Sequence, residues 1–128
     1  MAQHGTFYWN ELVTRDPKKA QDFYGKTLGW TFDSMPMPGG DDYTILKASG
    51  QQVGGMMKAM PDMNAAQDFW FTYIAVDDLD DRLKKLKAAG GKVMREPMDV
   101  PGVGRIAVVT DPGGASQGWM VPAPGASM

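Results

Sequence analysis

Glu11 is the residue of this chain most suited to acid–base chemistry, because it stands inside the aromatic and apolar run Phe7-Tyr8-Trp9-Asn10-Glu11-Leu12-Val13-Thr14. Alternation along a strand puts Phe7, Trp9, Glu11 and Val13 on one face. A carboxylate held between Trp9 and Val13 on an inward face has its charge disfavoured, which suits a general acid or base. A salt bridge to Arg15, Arg95 or Arg105 is the competing assignment. The remaining inventory is sparse. With no cysteine, disulfides, thiolate metal sites and a cysteine nucleophile are excluded, and the expected compartment is the cytoplasm. The single histidine, His4, precedes the first strand, where a lone imidazole is expected to be solvated rather than ligating. Eleven methionines, with Met35, Met37, Met56, Met57, Met60 and Met63 partly clustered, could offer thioethers to copper(I). They lack His or Cys companions, and the pattern favours adaptable packing around a cavity or a dimer interface. Gly54-Gly55 lies in a strand pattern with no helix after it, so it is not a phosphate loop.

The elements that must hold these residues are written twice. Trp9 to Asp16 leads into a helical run ending Leu28-Gly29-Trp30, and Phe71 to Asp78 leads into a run ending Gly90-Gly91-Lys92. Asp16 to Asp78 and Gly29 to Gly91 are both separated by 62 positions (78 − 16 and 91 − 29), which predicts two copies of one supersecondary unit. In the first, Phe7 to Thr14 reads as a strand, Asp16 as an N-cap and Pro17 as the first helical residue. Ala20, Phe23, Tyr24 and Leu28 then form a helical stripe closed by Gly29. Strands are expected from Trp30 to Phe32, Tyr43 to Ala48 and Val53 to Met57, with Ser49-Gly50-Gln51-Gln52 as a hairpin turn. In the second copy, Phe71 to Val76 is a strand, Asp78 a cap, and Leu79, Leu83 and Leu86 a helical stripe. Lys92 to Glu96, Arg105 to Thr110 and Gln117 to Val121 follow as strands, with Asp111-Pro112-Gly113-Gly114 as a turn. Each copy is βαβββ.

A chain of 128 residues is the size of one domain, whereas either half alone would be marginal. The expected organisation is a single domain over 1–128, with repeat units at about 7–59 and 68–122, a linker at about 60–67 and a loose tail after Pro122. Met35 to Asp42 breaks both periodicities and reads as a loop. A net charge of −2 with no basic stripe argues against nucleic acid. Neither an export signal nor an apolar run of membrane-spanning length is seen.

These landmarks, Trp9-Asn-Glu-Leu-Val-Thr-Arg-Asp with Phe23-Tyr24 and Leu28-Gly29-Trp30, then Ile74-Ala-Val-Asp-Asp-Leu with Ala89-Gly-Gly, then Thr110-Asp-Pro-Gly-Gly, resemble the vicinal oxygen chelate superfamily. That group includes glyoxalase I, extradiol dioxygenases, fosfomycin-resistance enzymes and bleomycin-resistance binding proteins. The resemblance implies an α+β fold in which two βαβββ modules form a curved mixed sheet around a central cleft. Catalytic relatives hold one divalent metal on four side chains, usually His, Glu or Gln. Carried across, those positions fall on Trp9, Met56, Phe71 and Gly118, none of which is a hard-metal ligand. No metal or other cofactor is therefore expected. The face toward the implied cleft combines Trp9 and Glu11 with Phe71, Tyr73 and Ala75 and with Ser116, Gly118 and Met120.

Three functions follow as expectations. The first is metal-free binding of a small aromatic or apolar molecule by Trp9, Glu11, Met56, Phe71, Tyr73, Gly118 and Met120, in a homodimer, as in the bleomycin-resistance precedent. The second is a metal-independent isomerase or lyase with Glu11 as general base. The third is a scaffold or regulatory protein whose cleft is filled by aromatics such as Trp9, Phe71 and Trp119.

Overall fold

The computed structural model describes residues 3–36, 42–60 and 66–124. Most of the expected loop at 35–42 and linker at 60–67, and the end of the tail, lie outside the described residues. The chain resolves into two compact units, one formed by Trp9–Phe71 and the other by the described parts of Met1–Tyr8 and Thr72–Met128.

The first unit contains most of β1 (Phe7–Thr14), then α1 (Pro17–Leu28), β2 (Thr31–Met35), β3 (Tyr43–Ala48) and β4 (Gln51–Lys58). Its strands run in the order β2-β3-β4-β1, with β1 parallel to β4 and the other pairs antiparallel. The strand-to-helix corner forms as the sequence predicts: the Asp16 carboxylate accepts the Lys19 N–H at 3.2 Å, and Pro17 occupies the first helical turn, where no N–H is needed. Gly29 ends α1 in the left-handed conformation (φ 71°). Ser49 and Gly50 both have positive φ (51° and 80°), the conformation of a two-residue hairpin whose twist matches its strands.

Beneath α1, Leu12, Leu46 and Met56 form a buried cluster closed by Ala20, Tyr24, Trp30 and Phe32. Tyr24 stacks on Trp30 with centroids 5.1 Å apart, and Trp70 meets both rings edge-on. The helical stripe is therefore only half core: Ala20 and Tyr24 pack inward, while Phe23 and Leu28 are each 57% exposed.

The second unit contains most of β5 (Phe69–Ala75), then α2 (Leu79–Ala88), β6 (Lys92–Val100), β7 (Gly104–Thr110) and β8 (Ser116–Pro122). The order is β5-β8-β7-β6, with β5 parallel to β8. The chain's first described residues belong here: the Gly5 N–H donates to Ala75 O at 2.7 Å, and the Ala75 N–H donates to Thr6 O at 2.9 Å. Asp78 caps α2 through the Asp81 N–H, and Leu79, Leu83 and Leu86 bury against Val76, Ala107 and Val109. Asp111 folds the β7–β8 turn by accepting from the N–H groups of Gly113 and Ala115. β6 extends four residues past the expected Glu96 because an outer strand tolerates Pro97, which has no N–H to donate, and two register irregularities absorb the misfit.

Both units are βαβββ, so the chain is α+β as the repeat predicts. The copies are not related by a single offset, however. The left-handed counterpart of Gly29 is Gly90 (φ 94°), an offset of 61 (90 − 29), and Gly91 instead packs directly against Leu86 and Thr110. Among the described residues, no helix is long and apolar enough to cross a membrane.

Candidate functional site

Strand register decides which side chains accompany Glu11. In the parallel pairing of β1 with β4, Glu11 lies beside Gly55 and Leu12 beside Met56. Met56 thus points with Leu12 under α1, where it is fully buried. This corrects the expectation that Met56 lines the site: the β4 residue on the Glu11 face is Gly55. The second unit shows why. Tyr73 pairs with Gly118, so β1 and β5 are related by 62 (73 − 11) but β4 and β8 by 63 (118 − 55). A constant offset of 62 therefore misplaces one strand by one residue, and a one-residue slip sends a side chain to the opposite face.

On the Glu11 face the structure assembles a chain of hydrogen bonds. Trp9 and Glu11 are buried, at 4% and 6% exposure. The Trp9 Nε1–H donates to the Tyr43 hydroxyl at 2.8 Å, and that hydroxyl donates to Glu11 Oε2, also at 2.8 Å. Gly55 makes the arrangement possible, because a Cβ at this position would overlap the Tyr43 hydroxyl and ring. Gly54 has a separate role: a Cβ there would sit 2.6 Å from the Asn10 carbonyl, so β4 approaches the β1 backbone closely. Phe71, at the end of the first unit, is half-buried.

In the second unit Tyr73, Gly118 and Met120 share one face of β5 and β8, Tyr73 paired with Gly118 and Ala75 with Met120. Trp119 lies on the other face, packed against the α2 cluster, with its Nε1–H donated to Gln117 Oε1 at 3.0 Å. Trp119 therefore does not plug the face that carries Gly118.

The donor set does not fit the divalent metal that the fold's catalytic members use. Trp9, Phe71, Gly55 and Gly118 offer no imidazole or carboxylate at the implied ligand positions, and among the described residues no group of three or more His, Asp or Glu side chains could hold an ion. The His4 Nδ1 accepts the Asp77 N–H at 3.1 Å, which ties the imidazole to the start of α2.

Two of the arginines considered for Glu11 have aspartate partners: Arg105 pairs with Asp80 and Asp99, and Arg15 with Asp68. Asp68 also accepts from the Thr14 hydroxyl at 2.6 Å and the Arg15 N–H at 3.1 Å. These contacts, Thr14 first, hold its carboxyl below the ordinary 3.8. A depressed folded-state pKa contributes stability above the unfolded value, and that contribution disappears as pH falls through the folded value. Urea unfolding of Asp68→Asn should accordingly show a deficit against the parent that is constant from pH 7 to about pH 4 and shrinks below it.

Tyr43 and Gly55 are the site residues that sequence reading missed. Gly55 did carry a signal, since a glycine inside a strand marks a close approach by another group. Nothing local announced that the approaching group is Tyr43.

Comparisons with known proteins bear on this geometry. A Mycobacterium tuberculosis protein named "Putative glyoxylase CFP32" is 46% identical over 120 residues, which cover 94% of this chain and 45% of that protein. The "Anthracycline biosynthesis protein DnrV" of Streptomyces peucetius is 33% identical, covering 84% of this chain and 44% of that protein. The chain spans less than half the length of these curated relatives. In fold it is similar to the crystal structure of methylmalonyl-CoA epimerase from Mycobacterium tuberculosis, at a TM-score of 0.67 and 19% identity over 97% of this chain and 93% of that one. With residues 6–116 matching its family description, the chain belongs to the Glyoxalase/Bleomycin resistance protein/Dioxygenase superfamily.

Proposed function

We propose that the protein binds a small aromatic molecule without a metal, on the face of its first unit that carries Trp9 and Glu11. One observation carries the reading: Trp9 and Glu11, both buried on β1, are joined through the Tyr43 hydroxyl into an ordered set of polar groups, on the strand that in the superfamily's catalysts carries a metal ligand. Apolar walls with a few fixed polar groups are the usual chemistry of a small-molecule site. The same reading carries a homodimer in the reducing cytoplasm, to which a cysteine-free chain is suited, with exposed Phe23, Leu28 and Trp70 as apolar contact surface.

A second reading is supported by the Tyr43–Glu11 hydrogen bond. A carboxylate oriented by a phenol hydroxyl is positioned to take a proton from a carbon acid, as a metal-independent isomerase or lyase requires.

A thermal-shift screen of small aromatics, repeated on Glu11→Gln, tests both. A ligand of the folded state raises the melting temperature. For a binder, the Glu11→Gln variant keeps the aromatic preference and binds about tenfold more weakly, since it loses one charge-assisted hydrogen bond. For an enzyme, the same variant binds nearly unchanged and loses turnover. A screen in which no aromatic compound raises the melting temperature rejects the binding function.

A further inference from the structure

Tyr43 is joined to the site in an unusual way. Its hydroxyl accepts from one side chain, Trp9, and donates to another, Glu11, both at 2.8 Å, while its ring and hydroxyl lie over the bare backbone of Gly55. These are the contacts that a phenol in a recognition site would make: an indole donor to the oxygen, a carboxylate acceptor for the proton, and a glycine floor that admits a flat ring. The Trp9–Glu11 face is thus complementary to a phenol, and the chain supplies one itself.

Two features make that internal phenol displaceable. Tyr43 is half-buried, unlike Trp9 and Glu11 beside it. It is also the first residue of β3, where its pairing with Met35 is the last rung of the β2–β3 ladder. An incoming phenol offers the same donor and acceptor, and competes against the effective concentration of the tethered Tyr43 ring.

We propose that Trp9, Glu11 and Gly55 form a phenol-recognition site in which Tyr43 is a resident competitor, and that external phenols bind by displacing it. This rests on the aromatic-binding function above and specifies its ligand class as hydroxylated aromatics. The apparent dissociation constant is then the intrinsic one divided by the fraction of molecules with Tyr43 withdrawn.

The test compares p-cresol with toluene, which differ only in the hydroxyl, by titrating the wild type, Tyr43→Ala and Tyr43→Ala/Gly55→Ala and following tryptophan fluorescence. Tyr43→Ala should bind p-cresol at least about tenfold more tightly than the wild type, corresponding to an internal ligand in place about nine-tenths of the time. Any ligand of the vacated site gains by the same factor, so the phenol assignment is read from absolute affinity. Tyr43→Ala should bind p-cresol at least about tenfold more tightly than toluene, for the two hydrogen bonds that only p-cresol makes, and the Gly55→Ala change should abolish the p-cresol gain by filling the floor. Tyr43→Phe, which keeps the ring, is titrated alongside in case the alanine variant does not fold, and should also bind p-cresol more tightly than the wild type does. The proposal is overturned if neither Tyr43 variant gains for p-cresol, or if Tyr43→Ala binds toluene as tightly as p-cresol, which would mean an unselective cavity. Binding of both compounds to the wild type that is unchanged in the Tyr43 variants leaves the aromatic-binding function standing and removes the phenol assignment. Absence of binding by either compound to any variant removes both.

Discussion

Gly55→Ala is expected to destabilise the protein by about 1–3 kcal/mol, the usual range when an extra methyl group is forced into a filled space. The added Cβ would overlap the Tyr43 hydroxyl and ring, so Tyr43 must leave its place between Trp9 and Glu11. Strand pairing of β4 need not change, since alanine keeps the backbone donor and acceptor. The cost therefore comes from the displaced phenol and from two buried polar side chains losing a partner. Urea unfolding gives the magnitude, and a change in Trp9 fluorescence should accompany it. A variant as stable as the parent, with unchanged fluorescence, would show that Tyr43 does not lie over Gly55.

Met56→Ala should be the most costly single substitution considered, at about 2–5 kcal/mol, because it empties a fully buried position. Its neighbours Leu12 and Leu46 are held by the sheet, while Ala20 and Tyr24 come from α1, so the cavity collapses only in part. The informative result is the separation of two properties. Met56→Ala should lower stability and leave the affinity for aromatic ligands within about twofold, whereas Glu11→Gln should weaken that affinity about tenfold. Loss of ligand affinity in Met56→Ala, without loss of stability, would place Met56 on the binding face and contradict the β1–β4 register.

Much of the fold was legible because local chemistry and long-range repetition agree. Asp16-Pro17 and Asp78 are caps whose side chains reach N–H groups three residues on, and Ser49-Gly50 makes a turn whose conformation few residue pairs adopt without strain. The site was less legible, for a reason visible at Met56. Matching the copies by one offset assumes equal lengths, yet the second unit reaches its helix end one residue earlier and its last strand one residue later. Because strand faces alternate with a period of two, that single residue exchanges a core position for a site position. Trp9 and Glu11, on the strand used as the reference for the offset, were unaffected. Tyr43 was hidden differently: it reaches Glu11 across 32 positions of sequence, a contact set by the β3–β4–β1 order rather than by any local pattern. The exposure of Phe23 and Leu28 has the same origin, since a helical period identifies a stripe but not how much of it the neighbouring strands cover.

The central claim is that aromatic ligands bind to the Trp9–Glu11 face with no metal. The most direct measurement is a titration of the purified protein with a panel spanning toluene, p-cresol and 1-naphthol, followed by tryptophan fluorescence before and after exhaustive chelation. Saturable binding with the same dissociation constant in both samples, weakened in Glu11→Gln, is the predicted result. Binding that vanishes on chelation and returns with added manganese or zinc would contradict it.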